Sequence, residues 1–328
     1  MSRTEHSKDY KDLLLDMSYG LLSGLLYLSY ALAFFFLTPL QYAYARKGKK
    51  AGIRASATSL IIIAAGMIFG MGDFSSLRPE FVAISLVPPA LCMIACWYIN
   101  SGIGRPSQGQ KTVIVSALLS VIVWPFLNKM LSDASFTAGL EAMVQESLAS
   151  VSGQQIDATV IRPTLESAMR IVRSAYAPAI LGFVAANWGL GNSLATAKAY
   201  RTGAIDAAAV QKKGAGAVYV PYSLLWPTLL AWTALLIVNA LHKEGTVAWI
   251  TWNVALFLAA LYAAQGIGIL DFFFKRLKFG GLLRLLMPLL VVACFVNQTV
   301  ATIVLIALPL LGITEVWFPY RNFKGVRL

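Results

Sequence analysis

The chain has 328 residues, 58% apolar and 13% charged, with 27 Lys and Arg against 15 Asp and Glu. Soluble domains average about 45–50% apolar and about 25% charged residues, so a water-soluble globule of this composition is excluded. The net charge of +12 alone would fit nucleic acid, but it is gathered in short loops between apolar runs, which points to a membrane surface instead.

Residues 1–16 are polar and mixed in sign (Arg3, Glu5, Lys8, Asp9, Lys11, Asp12, Asp16). They lack the apolar core and small-residue cleavage site of a signal peptide, so the first apolar stretch is expected to stay as an anchor. Apolar segments follow at about 17–44, 55–72, 81–99, 112–128, 176–198, 218–240, 246–270 and 282–311. A bilayer core needs roughly 20 residues of helix. Runs of this length satisfy their backbone internally as helices, not as alternating barrel strands. The pattern predicts an all-α, polytopic transmembrane helical bundle of about eight spanning segments.

Two segments exceed one crossing. Ser29 interrupts 17–44 and Asn297-Gln298 interrupts 282–311, so both are candidates for broken or re-entrant hairpins. Lys and Arg concentrate in the loops 45–54, 198–215 and 271–284, while 73–80 and 241–245 hold one each. By the positive-inside rule the basic loops are expected on the cytoplasmic side. If both long segments fold back, the basic tails join them.

Residues 129–175 are charged and amphipathic. Leu140, Met143, Val144, Leu148 and Val151 recur at helical spacing, as do Ile161, Leu165, Met169 and Val172, with Ser152-Gly153-Gln154-Gln155 between them. This predicts two helices on the outer face, either a lid over a solute site or a structural hairpin. The chain thus divides into a polar tail 1–16, an N-terminal helical half 17–128, the hairpin 129–175, a C-terminal half 176–311 and a basic tail 312–328.

Catalytic signals are sparse. Cys92, Cys96 and Cys294 lie in apolar runs, and neither His6 nor His242 belongs to a metal or triad pattern. Gly189-Leu190-Gly191, Gly214-Ala215-Gly216 and Gly266-Ile267-Gly268 lack the third glycine of a dinucleotide fingerprint, and no Walker lysine is present. No enzyme activity, cofactor or metal is expected. Polar residues inside spans are the remaining signal, because unsatisfied polarity in lipid is costly. Asn187, Trp188 and Asn192, among Gly182, Gly189 and Gly191, form the leading ligand-binding group, with interhelical packing as the competing role. Asn253, Gln265, Asn297 and Gln298 are weaker candidates. Trp226, Trp232, Trp249 and Trp252 fit interfacial belts or the bundle core. Gly20 and Gly24 make a small-residue face for a helix of this chain or of a partner. Asp73, Asp271 and Glu315 sit at span ends, which argues against a proton relay through the bilayer centre.

Four stretches carry a family resemblance. They are Phe36-Leu37-Thr38-Pro39-Leu40 with the basic turn at 46–50, and Val220-Pro221-Tyr222-Ser223-Leu224-Leu225-Trp226-Pro227. Gln265-Gly266-Ile267-Gly268 leading to Phe273-Phe274-Lys275-Arg276 is the third, and Leu311-Gly312-Ile313-Thr314-Glu315-Val316-Trp317-Phe318-Pro319-Tyr320-Arg321 the fourth. Together they resemble the YybS-type family of bacterial integral membrane proteins. The chain departs from it in a short first hairpin before Pro39 and in Glu315 where an aspartate is expected. The family's N-terminal half is similar to the substrate-binding components of energy-coupling-factor vitamin transporters. The resemblance implies a helical bundle that binds a small-molecule solute and docks membrane or ATPase partner subunits, with Gly20 and Gly24 as docking candidates by analogy. The functional expectation is a transport-type membrane protein contacting the lipid bilayer and no nucleic acid. The alternative is a non-transporting scaffold or assembly factor that binds a partner protein or anionic lipid.

Overall fold

A computed structural model describes residues 3–70, 79–152, 158–204, 218–277 and 297–322, with scattered positions from 286 to 296. Among the described residues every regular element is a helix. Two compact units are present: Met1–Leu119 with Leu181–Lys212, and Ser120–Ile180 with Lys213–Leu328. Residues 181–212 therefore belong with the first unit rather than with the C-terminal half.

In the first unit α1 (Arg3–Leu28) stops where Ser29 Oγ donates to the Leu26 carbonyl at 2.7 Å and accepts the Leu32 N–H at 3.2 Å. Tyr30 follows in the left-handed region, with φ 52°, and the chain reverses. Helix α2 (Leu37–Lys47) then runs back along α1. Ser23 Oγ donates to the Phe36 carbonyl at 2.6 Å, Tyr19 meets Tyr42 edge-on at 5.2 Å, and Lys47 Nζ lies 2.9 Å from Asp12 and 3.2 Å from Asp16. The first long apolar segment is thus an antiparallel hairpin, broken at Ser29, that returns the basic turn to the end where α1 begins.

Gly48, at φ 86°, turns the chain into α3 (Lys49–Gly70). Helices α1 and α3 pack in parallel through small residues. A methyl group at Gly20 would strike the Ala55 carbonyl oxygen, and one at Gly24 would lie 2.7 Å from Ile62 Cγ2. Phe36, Leu40, Ala43, Tyr44, Ala55 and Ile63 join Met93 and Cys96 of α4 (Pro79–Asn100) in the core.

Helices α5 (Gln108–Leu131) and α7 (Ala158–Arg201) contribute residues to both units. In the second unit Asp133 opens α6 (Ala134–Ser152), accepting the Ser135 hydroxyl at 2.7 Å and its N–H at 2.9 Å. The Ser135 hydroxyl, followed by its backbone N–H, holds the Asp133 carboxyl below its ordinary pKa. Arg162 of α7 lies 4.0 Å from Glu141 of α6, which brings the two amphipathic stretches together at this point. The second stretch is not a separate element, however. The amphipathic stretch and the 176–198 segment form one 44-residue helix, about 66 Å long if straight and well beyond one bilayer crossing. Ile161 is buried and Leu165 and Met169 are half-buried, whereas Met143, Leu148 and Val172 are exposed. Gly153-Gln154-Gln155 lie outside the described residues.

The second unit continues with α8 (Leu225–Ala240), α9 (Thr246–Arg276) and α10 (Gln298–Thr314). Asn297 caps α10, its side chain accepting the N–H groups of Thr299 and Val300 at 2.9 and 3.3 Å, which explains the break expected there. Helices α9 and α10 cross where Gly266 meets Gly312. A methyl on Gly266 would strike the Leu308 carbonyl, and one on Gly312 the Tyr262 carbonyl.

Among the described residues, five helices are long and apolar enough to cross a membrane: Lys49–Phe69, Gln108–Leu131, Ile161–Arg201, Tyr222–Ala240 and Thr246–Arg276. Leu86–Asn100 and Gln298–Thr314 are shorter apolar helices. The expected count of about eight is not confirmed among the described residues, where 17–44 divides into α1 and α2 and the apolar stretches Leu86–Asn100 and Gln298–Thr314 are short. Asp73, Arg78, Lys212, Lys213, Gly214, Gly216, Lys278 and Arg284 lie outside the described residues.

Candidate functional site

The first unit gathers uncharged polar side chains from α2, α4 and α7 inside an otherwise apolar core. Gln41 is buried at the centre. Its Nε2 donates to Asn100 Oδ1 at 3.2 Å and to Asn192 Oδ1 at 3.1 Å. Its Oε1 accepts Asn100 Nδ2 at 2.6 Å and the Cys96 thiol at 3.3 Å. One layer deeper, Asn187 Oδ1 accepts the Thr38 hydroxyl at 2.8 Å. Its Nδ2 donates to the carbonyls of Phe34 at 2.8 Å and Phe183 at 2.9 Å.

Gly191 makes this convergence possible. A side chain there would press on Gln41 Cβ, 2.6 Å away, and on the Thr38 carbonyl, 3.0 Å away, so only glycine admits α2 this close. On a helix Asn187 lies about 40° to one side of Gly191 and Asn192 about 100° to the other. The two amides therefore flank the contact line and both reach α2 without any unwinding of α7. Gly182 and Gly189 have nothing within 4 Å of a Cβ position and take no part. Trp188 is excluded from the network too; its indole Nε1 is buried without a hydrogen-bond partner among the described residues.

The cluster thus keeps Asn187 and Asn192 of the sequence group, loses Trp188, and adds others. Gln41, Thr38 and Asn100 were the missed members. An in-span glutamine between Leu40 and Tyr42 was the available signal, although nothing in the spacing ties it to a residue some 150 positions later. By charge, Gln41 and Asn192 each sit six residues before a lysine (Lys47, Lys198). Asn100 ends its helix, and Thr38 and Asn187 lie further in. The polar groups run inward from the basic end of the unit.

The second unit holds a different cluster. Glu315 is buried, and Arg321 grips it through Nε at 2.6 Å and Nη2 at 2.5 Å. Gln265 Nε2 donates to Glu315 at 2.9 Å and to the Gly312 carbonyl at 3.1 Å, while its Oε1 accepts the Val220 N–H at 2.8 Å. Arg321 Nη1 donates to the Val218 carbonyl at 2.7 Å. Every strong group here is matched, so the cluster is a clasp joining 218–220, α9 and the segment after α10. Asn253 is also structural. It accepts the Ala177 N–H at 2.9 Å and donates to the Arg173 carbonyl at 2.6 Å, the pair that an unbroken ladder would join, immediately before Pro178.

Among the described residues no group of three His, Cys, Asp or Glu is placed to hold a metal. Comparison with family models, curated proteins and solved structures finds no match to this chain.

Proposed function

We propose that this chain is a transport-type integral protein of the bacterial cytoplasmic membrane, without catalytic activity of its own, and that the amide cluster of the first unit binds a small polar solute. One observation carries the reading: Gln41, Asn100, Asn187, Asn192 and Thr38 converge within an apolar bundle, where polarity is retained at a cost. Carboxamides present donors and acceptors together and exchange one partner for another by rotation. Asn192 Nδ2 has no hydrogen-bond partner among the described residues and is the first group free to take one. The basic loops face the cytoplasm in this reading. Any ATP hydrolysis belongs to a separate subunit.

The scaffold reading draws on the exposed Arg46, Lys49 and Lys50, a surface for anionic headgroups or an acidic partner. The Gly20 and Gly24 face is a weaker docking site, because α3 covers it.

Thermal melts of the purified protein against a metabolite panel separate the readings. A solute that raises Tm and loses its effect in Asn192→Ala and Asn187→Ala supports binding at the cluster. Stabilisation that survives both substitutions removes the site.

A further inference from the structure

We propose that the amide cluster recognises its solute through hydrogen-bond acceptors, so that the solute class is one presenting carbonyl or carboxylate oxygens to Asn192 Nδ2 and Trp188 Nε1. This rests on the solute reading above and adds to it the polarity of the ligand. The hydrogens of the cluster follow one another from a fixed point, the backbone carbonyl of Cys96, which only accepts. Asn100 Nδ2 donates to it at 2.8 Å, and this sets which end of the Asn100 amide is nitrogen. Asn100 Oδ1 then faces Gln41 Nε2 at 3.2 Å, and Gln41 Oε1 faces Asn100 Nδ2 at 2.6 Å. With Gln41 Nε2 set as a donor, the atom it meets on Asn192 is Oδ1, at 3.1 Å. The nitrogen of Asn192 is thereby left unengaged by Gln41.

The other hydrogens of the cluster are taken. Gln41 Nε2 gives one each to Asn100 and Asn192, and Asn100 Nδ2 one each to Gln41 and the Cys96 carbonyl. Asn187 Nδ2 gives its pair to the Phe34 and Phe183 carbonyls, the Thr38 hydroxyl donates to Asn187, and the Cys96 thiol to Gln41. Among the described residues, Asn192 Nδ2 is left without an acceptor, and so is the buried indole Nε1 of Trp188. The two side chains are neighbours on α7. Trp188 lies about 60° from the Gly191 contact line, on the Asn192 side, and about 40° from Asn192 itself. Residues four apart on a helix stand one above the other, with Cβ atoms about 5–6 Å apart. An indole nitrogen only donates, so a ligand that brings donors alone cannot satisfy it. A buried N–H without an acceptor is costly, and a ligand oxygen removes that cost. The lysines beyond the cluster, Lys47 and Lys198, add a field that opposes a cationic ligand.

The test is a thermal melt of the full chain in a neutral detergent against matched probes: succinate and benzoate, their methyl esters, and the amines putrescine and benzylamine. The oxygen compounds should raise Tm and the amines should not. A response to the carboxylates alone assigns an anionic ligand, and one shared by the esters assigns a carbonyl group. Trp188→Phe keeps a ring but removes the N–H, and should raise the half-effect concentration of the oxygen compounds about tenfold. Asn192→Asp keeps the oxygen that meets Gln41 and puts a second oxygen in place of Nδ2. It should reverse the preference, so that amines stabilise and carboxylates do not, an inversion that a packing role for Asn192 does not produce. Trp188→Phe decides the matter if Asn192→Asp does not fold. Amines that stabilise the parent chain as well as the oxygen compounds do, or a preference unaltered by either variant, overturn this proposal and leave the solute site standing. No response to any probe overturns it too, and the metabolite melts then decide the solute site by themselves.

Discussion

Gly20 and Gly189 both lie on long helices, yet their substitution has opposite expected effects. Gly20→Leu forces a side chain into the α3 backbone at Ala55 and should cost about 1–3 kcal/mol. Gly189→Ala enters open space and should be neutral or stabilising by up to about 1 kcal/mol. Denaturant melts in detergent check both. Asn253→Ala abandons the Ala177 N–H and Arg173 carbonyl beside Pro178 and should cost about 1–3 kcal/mol. The small-residue face at Gly20 and Gly24 was legible in the sequence, because close approach needs a fixed helical spacing. The partners of Gln41 were not. Hydrogen bonds between distant helices follow from how those helices pack, and one apolar pattern permits many packings.

At the scale of elements, the two interior breaks at Ser29 and Asn297 were readable because each puts a hydrogen-bonding side chain where a helix must stop or start. Asn297→Ala should lower the stability of the second unit by about 1 kcal/mol. The continuity of α7 was not readable. Its charge falls sharply near residue 175, and the ladder before Pro178 is completed by Asn253, a residue of another helix. The terminal clasp carries a sharper expectation. Arg321→Met leaves Glu315 buried without its cation and should cost about 3–5 kcal/mol, while adding Glu315→Gln should recover much of the loss. Equal loss in the single and double variants would show that the pair does not act as a unit.

For the whole molecule, charge and apolarity were readable from the outset, whereas the number of crossings was not. Hydropathy records how long a segment is, and a fold-back within it leaves that length unchanged. The hairpin α1–α2 places the start of α1 beside the basic turn, linked by Lys47 to Asp12 and Asp16, so the N-terminal tail and that turn share one side in a membrane-embedded protein. The most direct measurement is labelling of single cysteines at Tyr10 and at Lys50, both exposed, with Cys92, Cys96 and Cys294 replaced by alanine. An impermeant maleimide is applied to intact spheroplasts and to inverted membrane vesicles. Both positions should label in inverted vesicles and be protected in spheroplasts. Labelling of the two from opposite sides, or of both from outside, would contradict the account.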